Sequence, residues 1–231
     1  MQEDGLVLGQ LNNKSLRERV LDVLREAILH GDLKPGQPLI ETDLAAQLGV
    51  SRAPLREAIQ VLNKEGLVET IPYHGTTVRR LSTTDIEELY SLRGALEAFA
   101  ISRIIACQDH AAVAADLHAI YEHMLQAANM GDLKRVNEID RDFHDALIHA
   151  TGHRLLITTW RSVSLRVRQI MALRNMRNSD LKQVAYNHQP IIEALAVGDA
   201  VKAEVLIKAH VASAGDLALE GWIDQYGEDT L

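Results

Sequence analysis

Apolar residues recur at helical spacing in Leu16, Val20, Leu24 and Ile28, and the pattern stops at Gly31 with Pro35 just beyond, so residues 14–30 are expected to form a helix. Pro35, Gly36 and Pro38 then mark a turn, Glu41 to Leu48 a short helix, and Gly49 its end. Ser51 is placed to N-cap the next helix, whose apolar positions Leu55, Ala58, Ile59 and Leu62 share one face before Gly66, with Pro54 tolerated in its first turn. Two helices joined by a tight glycine turn make a helix-turn-helix. Leu67 to Ile71 and Thr76 to Val78 follow as short strands around Pro72, Tyr73, His74 and Gly75, the pattern of a hairpin wing.

Beyond Leu81 the periodicity is helical throughout. Thr84, with Glu87 three residues on, is a capping-box candidate opening a helix to about Cys107. Further helices are expected near 110–129, 132–150, 153–176, 179–197 and 199–224, separated at Gly131, Gly152, Asn178 and Gly198. Short links imply antiparallel neighbours. The fold class is therefore mostly α: a winged helix-turn-helix over 13–80, then an all-α antiparallel bundle of six helices over 81–231, with residues 1–12 as a flexible arm.

Composition narrows the setting. The 231 residues are 47% hydrophobic and 24% charged, and no apolar run approaches the ~20 residues of a membrane span. The start of the chain lacks the basic residues of a secretory signal, and the single Cys107 allows neither an intrachain disulfide nor a cysteine-based zinc finger, so a reducing cytoplasm and no membrane are expected. The net charge of −8 argues against nucleic acid, but its distribution weakens the objection. Residues 1–80 hold ten basic and eleven acidic side chains, and the remainder carries a net −7, so a local basic face is possible at the near-neutral end.

At about 100° per residue, Arg52, Arg56 and Gln60 fall on one stripe of the third helix, roughly 110° around from its apolar stripe. Arginine near the start of such a helix suits the major groove, because its planar fork gives two hydrogen bonds to guanine. An isolated Arg-x3-Arg reads more simply as solvated charge; the preceding helix, the glycine turn and the wing favour DNA. The stretch PGQPLIETDLAAQLGVSRAPLREAIQVLNKEGLVETIPYHGTTV closely resembles the winged helix of the GntR superfamily of bacterial transcription regulators, over residues 14–80. The candidate DNA contacts are Ser51, Arg52, Arg56 and Gln60; the resemblance implies base or phosphate contacts at Arg52 and Arg56, with His74 and Gly75 of the wing in the minor groove. Many FadR-like members carry arginine where this chain has Thr42.

In the second part, Asp140 and His144 lie four apart beside the stripe of Val136, Ile139, Phe143 and Leu147. His188 lies within the stripe of Val184, Ile191 and Leu195, and His210 is flanked by Ile207, Val211, Ala214 and Leu217. Four metal-competent groups thus project inward from three helices, a usual way to build a metal site in a bundle. Each histidine alone would read as a hydrogen-bonded core residue; the four together favour metal. Arg93 lies in the stripe Leu89, Leu92, Leu96 and Ala100, where it serves either as the partner of Glu97 or as a bidentate clamp for a ligand carboxylate.

The Asp-x3-His followed by two single histidines also resembles the metal-binding subgroup of FCD domains, the effector-binding partner of FadR-type regulators, in its VanR-like branch. That likeness implies a divalent metal (zinc first, with nickel, manganese or iron as alternatives) on Asp140, His144, His188 and His210, and a small carboxylate effector at Arg93. The commonly found asparagine after the Asp/His helix is His153 here. The expected function is a DNA-binding transcription regulator, a repressor acting as a homodimer on a palindromic double-stranded operator and not as an enzyme. The alternatives are a metal-dependent hydrolase on the same four residues, which leaves the winged helix unexplained, and an interaction module with a structural metal. The remaining histidines form no suggestive spacing, and Arg161, Arg166, Arg168 and Arg174 are expected to be solvated or interface charges.

Overall fold

The computed structural model describes residues 14–73, 75–107, 109–174 and 180–226. The expected arm over residues 1–12, His74 and the expected break at Asn178 lie outside the described residues. Helices α1 (Leu16–Leu29), α2 (Glu41–Leu48) and α3 (Arg52–Glu65) precede strands β1 (Val68–Ile71) and β2 (Gly75–Val78). Ser15 and Glu18 close a capping box at the start of α1. Gly49 ends α2 at φ +63°, a left-handed turn that a side chain would strain, and so α3 can start three residues later. Leu55, Ala58 and Leu62 of α3, fully buried, pack with Val20, Leu24 and Ile28 of α1 and with Leu67 and Val78 of the wing. The strands pair antiparallel, Val68 opposite Val78, and the segment before α2 closes the other edge of β2: Leu39 N–H donates to the Thr76 carbonyl and Val78 N–H to the Gln37 carbonyl.

The second core belongs to α4 (Thr83–Cys107), α5 (His110–Asn129), α6 (Leu133–Ala150), α7 (Arg154–Arg174), α8 (Leu181–Tyr186), α9 (Gln189–Ala196) and α10 (Ala200–Tyr226). Helix α4 lies along α10, and the approach is tight enough that a Cβ on Gly215 would meet Tyr90 Cβ at 3.0 Å. Phe143 of α6 is fully buried, a contribution of roughly 1.5–3 kcal/mol for a side chain of this size.

Local chemistry departs from expectation in three places. The box opening α4 is built by Ser82 and Asp85, two residues ahead of the expected Thr84 and Glu87: Asp85 Oδ2 accepts from Ser82 N–H, and Asp85 N–H donates to Ser82 Oγ. Ser51 occupies the N-cap position of α3 but makes no side-chain capping bond. The helix expected over 179–197 is broken into α8 and α9 at His188, because Pro190 has no N–H and its ring would clash with the carbonyl four residues back, whereas it fits the first turn of a new helix.

The two cores meet through α7. Leu165 packs against the N-terminal core, and Arg166 lies over Gly66, where a Cβ would fall 2.6 Å from its guanidinium. Arg168 pairs with Glu26 at 3.4 Å, and buried Gln169 donates from Nε2 to the Arg79 carbonyl at 3.3 Å. Two of the four arginines expected to be solvated or interface charges are thus at the interface between the winged helix and the bundle.

Candidate nucleic-acid interface and metal centre

Arg52 and Arg56 stand one turn apart on the outer face of α3, and Gln60 follows on the same exposed face. Both guanidiniums converge on a single oxygen: Glu41 Oε2 accepts from Arg52 Nη2 at 2.8 Å and from Arg56 Nε at 2.7 Å. Arg52, ahead of Arg56, holds the Glu41 carboxyl below its ordinary range. The two arginine side chains remain 53% and 56% exposed, so their free N–H groups face solvent beyond the first residue of α2. Ser51 is exposed at the head of α3, and Gly75 lies at the wing with no atom within 4 Å of where its Cβ would be. The sequence reading missed Glu41, whose signal was an acid at the start of the helix preceding two arginines, and Tyr73. Tyr73 is fully exposed at the wing tip with φ +66°, a left-handed conformation that is unfavourable for a bulky residue.

In the bundle, the ligand atoms of Asp140, His144, His188 and His210 all lie within 4.8 Å of one another. Asp140 and His144 come from successive turns of α6, His188 from the α8–α9 break and His210 from α10. The break has a chemical consequence. His188 N–H bonds to the Ala185 carbonyl, and the Val184 carbonyl accepts from His188 Nδ1 at 2.9 Å. A carbonyl only accepts, so Nδ1 carries a proton and Nε2 is turned inward. That buried Nε2 has no hydrogen-bond donor facing it and stands 3.2 Å from Asp140 Oδ1. His144 is fixed in the same sense, with Nδ1 2.6 Å from Glu97 Oε2 and Nε2 3.4 Å from His210 Nε2.

Charge at the centre is arranged to match. Burial pushes the Asp140 carboxyl up, but His188, His144 and Arg93 outweigh it and hold the group far below the ordinary carboxylate range. Burial, reinforced by His188 and His144, pushes His210 well below the ordinary imidazole value. A carboxylate and inward-facing imidazole nitrogens, buried together, form a donor set that fits a borderline divalent cation.

Arg93 is 3% exposed and donates from Nε to Glu97 Oε1 at 2.7 Å, so the ion pair expected as one of its two roles is present. Burial works against both charges of the pair. Glu97, with Tyr90 and Asp140, nevertheless raises Arg93, and His144 with Arg93 lowers Glu97. Arg93 also lines a cavity of about 180 Å³ together with Asp140 and His210, so two of the four cluster residues and the guanidinium face the same space. The groove between α4 and α10 is larger, about 390 Å³, but its lining, which mixes Ile86, Ala95, Ala212 and Leu219 with Glu87 and Lys208, does not include any of the four residues.

Comparison with known proteins agrees with this division. Residues 16–78 match the model of bacterial regulatory proteins of the gntR family, and residues 88–213 match the FCD domain model. The chain is 32% identical over 206 residues to the "Probable D-xylose utilization operon transcriptional repressor" of Paenarthrobacter nicotinovorans, covering 88% of this chain and 89% of the relative. It is 29% identical to the gluconate operon transcriptional repressor of Bacillus subtilis (strain 168), over 82% of this chain and 79% of that protein. A solved GntR regulator from Rhodococcus sp. RHA1 superposes with a TM-score of 0.73 at 28% identity, covering 90% of this chain and 99% of the other.

Proposed function

The chain belongs to the GntR family of DNA-binding transcription regulators, with an FCD domain in its C-terminal part, and from that premise we propose that a small carboxylate bound beside a divalent metal controls its hold on DNA. In this reading two copies form a homodimer, so that two α3 helices meet the half-sites of a palindromic operator, with the wings alongside. Ser51, Arg52, Arg56 and Gln60 face the major groove, and His74 and Gly75 the minor groove. The repressor names of the relatives support repression as the output. No described helix is long and apolar enough to cross a membrane.

The observation that carries the metal is the pair formed by His188 Nε2 and Asp140 Oδ1. Two acceptors face each other at 3.2 Å in a buried site, an arrangement that requires positive charge between or upon them. Asp140, His144, His188 and His210 would hold the ion, which supplies when bound a Lewis-acidic position for a carboxylate oxygen. Arg93 orients the same carboxylate through the N–H groups that Glu97 leaves free. Zinc suits this donor set best, and nickel, manganese and iron are also compatible.

Elemental analysis of untagged protein decides the metal. About one divalent ion per chain in the wild type, lost in His144→Ala and His188→Ala, is the expected result. Less than half an ion in the reconstituted wild type would leave the cluster as a protonated histidine core. Chelation is expected to abolish the effector response while operator binding, located in α1–β2, persists. The hydrolase alternative receives no support from relatives named as regulators and leaves α3 and the wing without a role.

A further inference from the structure

Helix α4 is apolar on both of its sides. The inner side places Leu89, Ala100, Ile101 and Ile104 in the bundle core, and the outer side carries Leu92, Ala95 and Phe99 along one stripe, with Ala106 two turns on. Leu92 and Phe99 are each 46% exposed, and Ala95 and Ala106 are exposed as well. The face continues onto the start of α7: the Phe99 and His153 rings meet edge to face with centroids 5.5 Å apart, and Leu155, 71% exposed, borders a shallow depression shared with Arg103. A helix that is apolar all round is one that is covered in the working assembly. Two charges bracket the stripe. Glu88 lies one turn before Leu92 and Arg103 one turn after Phe99, and among the described residues neither side chain has an ion-pair or hydrogen-bond partner within the chain; the Nε of Arg103 is buried without an acceptor.

From this arrangement we propose that the outer face of α4 is the surface on which a second copy of the chain docks, the two α4 helices running antiparallel across a two-fold axis between residues 95 and 96. The inference rests on the homodimer reading and adds the surface that forms it. The stripe is symmetric about that point: Leu92 and Phe99 are equally far from it, and so are Glu88 and Arg103, the latter two by about 11 Å at the rise of an α-helix. An isologous pair therefore sets Leu92 of each copy against Phe99 of the other and Glu88 of each against Arg103 of the other, with the small Ala95 at the crossing. A parallel pair would instead set Glu88 against Glu88 and Arg103 against Arg103, and like charges so placed repel. The charges thus select the antiparallel arrangement and form a polar rim around an apolar centre, as interfaces between subunits do. An unrelated partner would not require the matched spacing of the two pairs.

The test is sedimentation velocity of the full-length protein over a concentration series, with circular dichroism to establish that each variant is folded. Wild type is expected to be a dimer, and Leu92→Glu and Phe99→Glu each to raise its dissociation constant about tenfold or more. Glu88→Arg and Arg103→Glu are each expected to weaken the dimer about tenfold, and the double variant to return to within about threefold of wild type. A crosslink gives a readout that needs no destabilised variant. In a Cys107→Ser background, Ala95→Cys is expected to be joined into dimers by a short bis-maleimide, whereas Ala115→Cys, exposed on α5, is not. A wild-type dimer that folded Leu92→Glu and Phe99→Glu leave unchanged, or that Ala95→Cys fails to crosslink, would overturn the α4 face and leave the homodimer standing. A double charge variant no tighter than the singles would overturn the antiparallel pairing, and a wild type that stays monomeric at every concentration, with and without operator DNA, would remove the homodimer reading itself.

Discussion

Glu97 Oε2 lies 2.6 Å from His144 Nδ1, and Glu97 Oε1 takes the Arg93 guanidinium at 2.7 Å, so one buried carboxylate joins a candidate metal ligand to the candidate effector anchor. A carboxylate behind an imidazole fixes its tautomer and makes the opposite nitrogen a better donor. Glu97→Gln is therefore expected to weaken zinc affinity by about 10–100-fold, read by competition with a chelating dye. It also strands the Arg93 charge. Adding Arg93→Met to Glu97→Gln is expected to recover stability without recovering metal affinity. Full zinc affinity in the single variant would reduce Glu97 to a counter-ion for Arg93.

The DNA-facing arginines make a separate prediction. Arg52→Ala and Arg56→Ala should each weaken operator binding by about 1–3 kcal/mol where the guanidinium reads a guanine, with the same oligomeric state as wild type. Glu41→Ala frees both guanidiniums from their shared anchor, so it is expected to narrow the gap between operator and unrelated DNA without abolishing binding. Electrophoretic shifts across a salt series check both, because the phosphate contribution falls with salt while the base contribution does not. Unchanged operator affinity in both arginine variants would move the reading surface off α3.

The reach of the sequence differed between the two sites for a physical reason. The α3 stripe and the α6 ligands could be placed by helical spacing because each set lies on one unbroken helix. His188 did not follow that rule. Its orientation comes from the break at His188, whose own N–H turns to the Ala185 carbonyl and leaves that of Val184 to hold Nδ1. Glu97 was legible as a partner of Arg93 four residues back, whereas its bond to His144, 47 residues away, depends on the packing of α4 on α6. The capping of α4 by Ser82 was missed because Thr84 offered an equally plausible box two residues later.

Gln169 tests how a signal in the bundle reaches the winged helix. It is 2% exposed on α7 and donates to the Arg79 carbonyl, while Met171 two residues on lines the cavity beside Arg93 and also the cleft shared by α1, α6 and α7. Gln169→Leu keeps the volume and removes the bond. Effector affinity is expected to stay within about twofold of wild type, and the effector-induced change in operator affinity to shrink by about 0.5–2 kcal/mol, the usual range for a residue on a coupling route. Equal loss of both quantities would indicate damage to the cavity, and no loss of either would remove Gln169 from the route.

The depressed affinity of His210 for protons gives the metal-free protein a defined response to acid. Burial among other imidazoles holds its folded-state pKa well below the ordinary 6.5, so over the range beneath 6.5 the unfolded chain binds a proton that the folded chain refuses. Stability from this group is present above about pH 6.5 and is lost as pH falls below it, by up to about 1.4 kcal/mol per pH unit until the folded-state value is reached. Asp140 acts in the same direction, but its folded-state value lies so low that its share is lost only near and below the ordinary carboxylate range. A bound metal requires the same unprotonated ligands and is expected to leave as the pH falls, so metal-loaded protein should show the steeper decline. Calorimetric Tm at pH 7.5, 6.5 and 5.5, with chelator and with zinc, is to be compared between wild type and His210→Gln. The variant is expected to flatten the metal-free curve below pH 6.5 and to erase the separation between chelated and zinc-loaded samples; parallel metal-free curves for the two proteins would show that His210 does not set the acid limit.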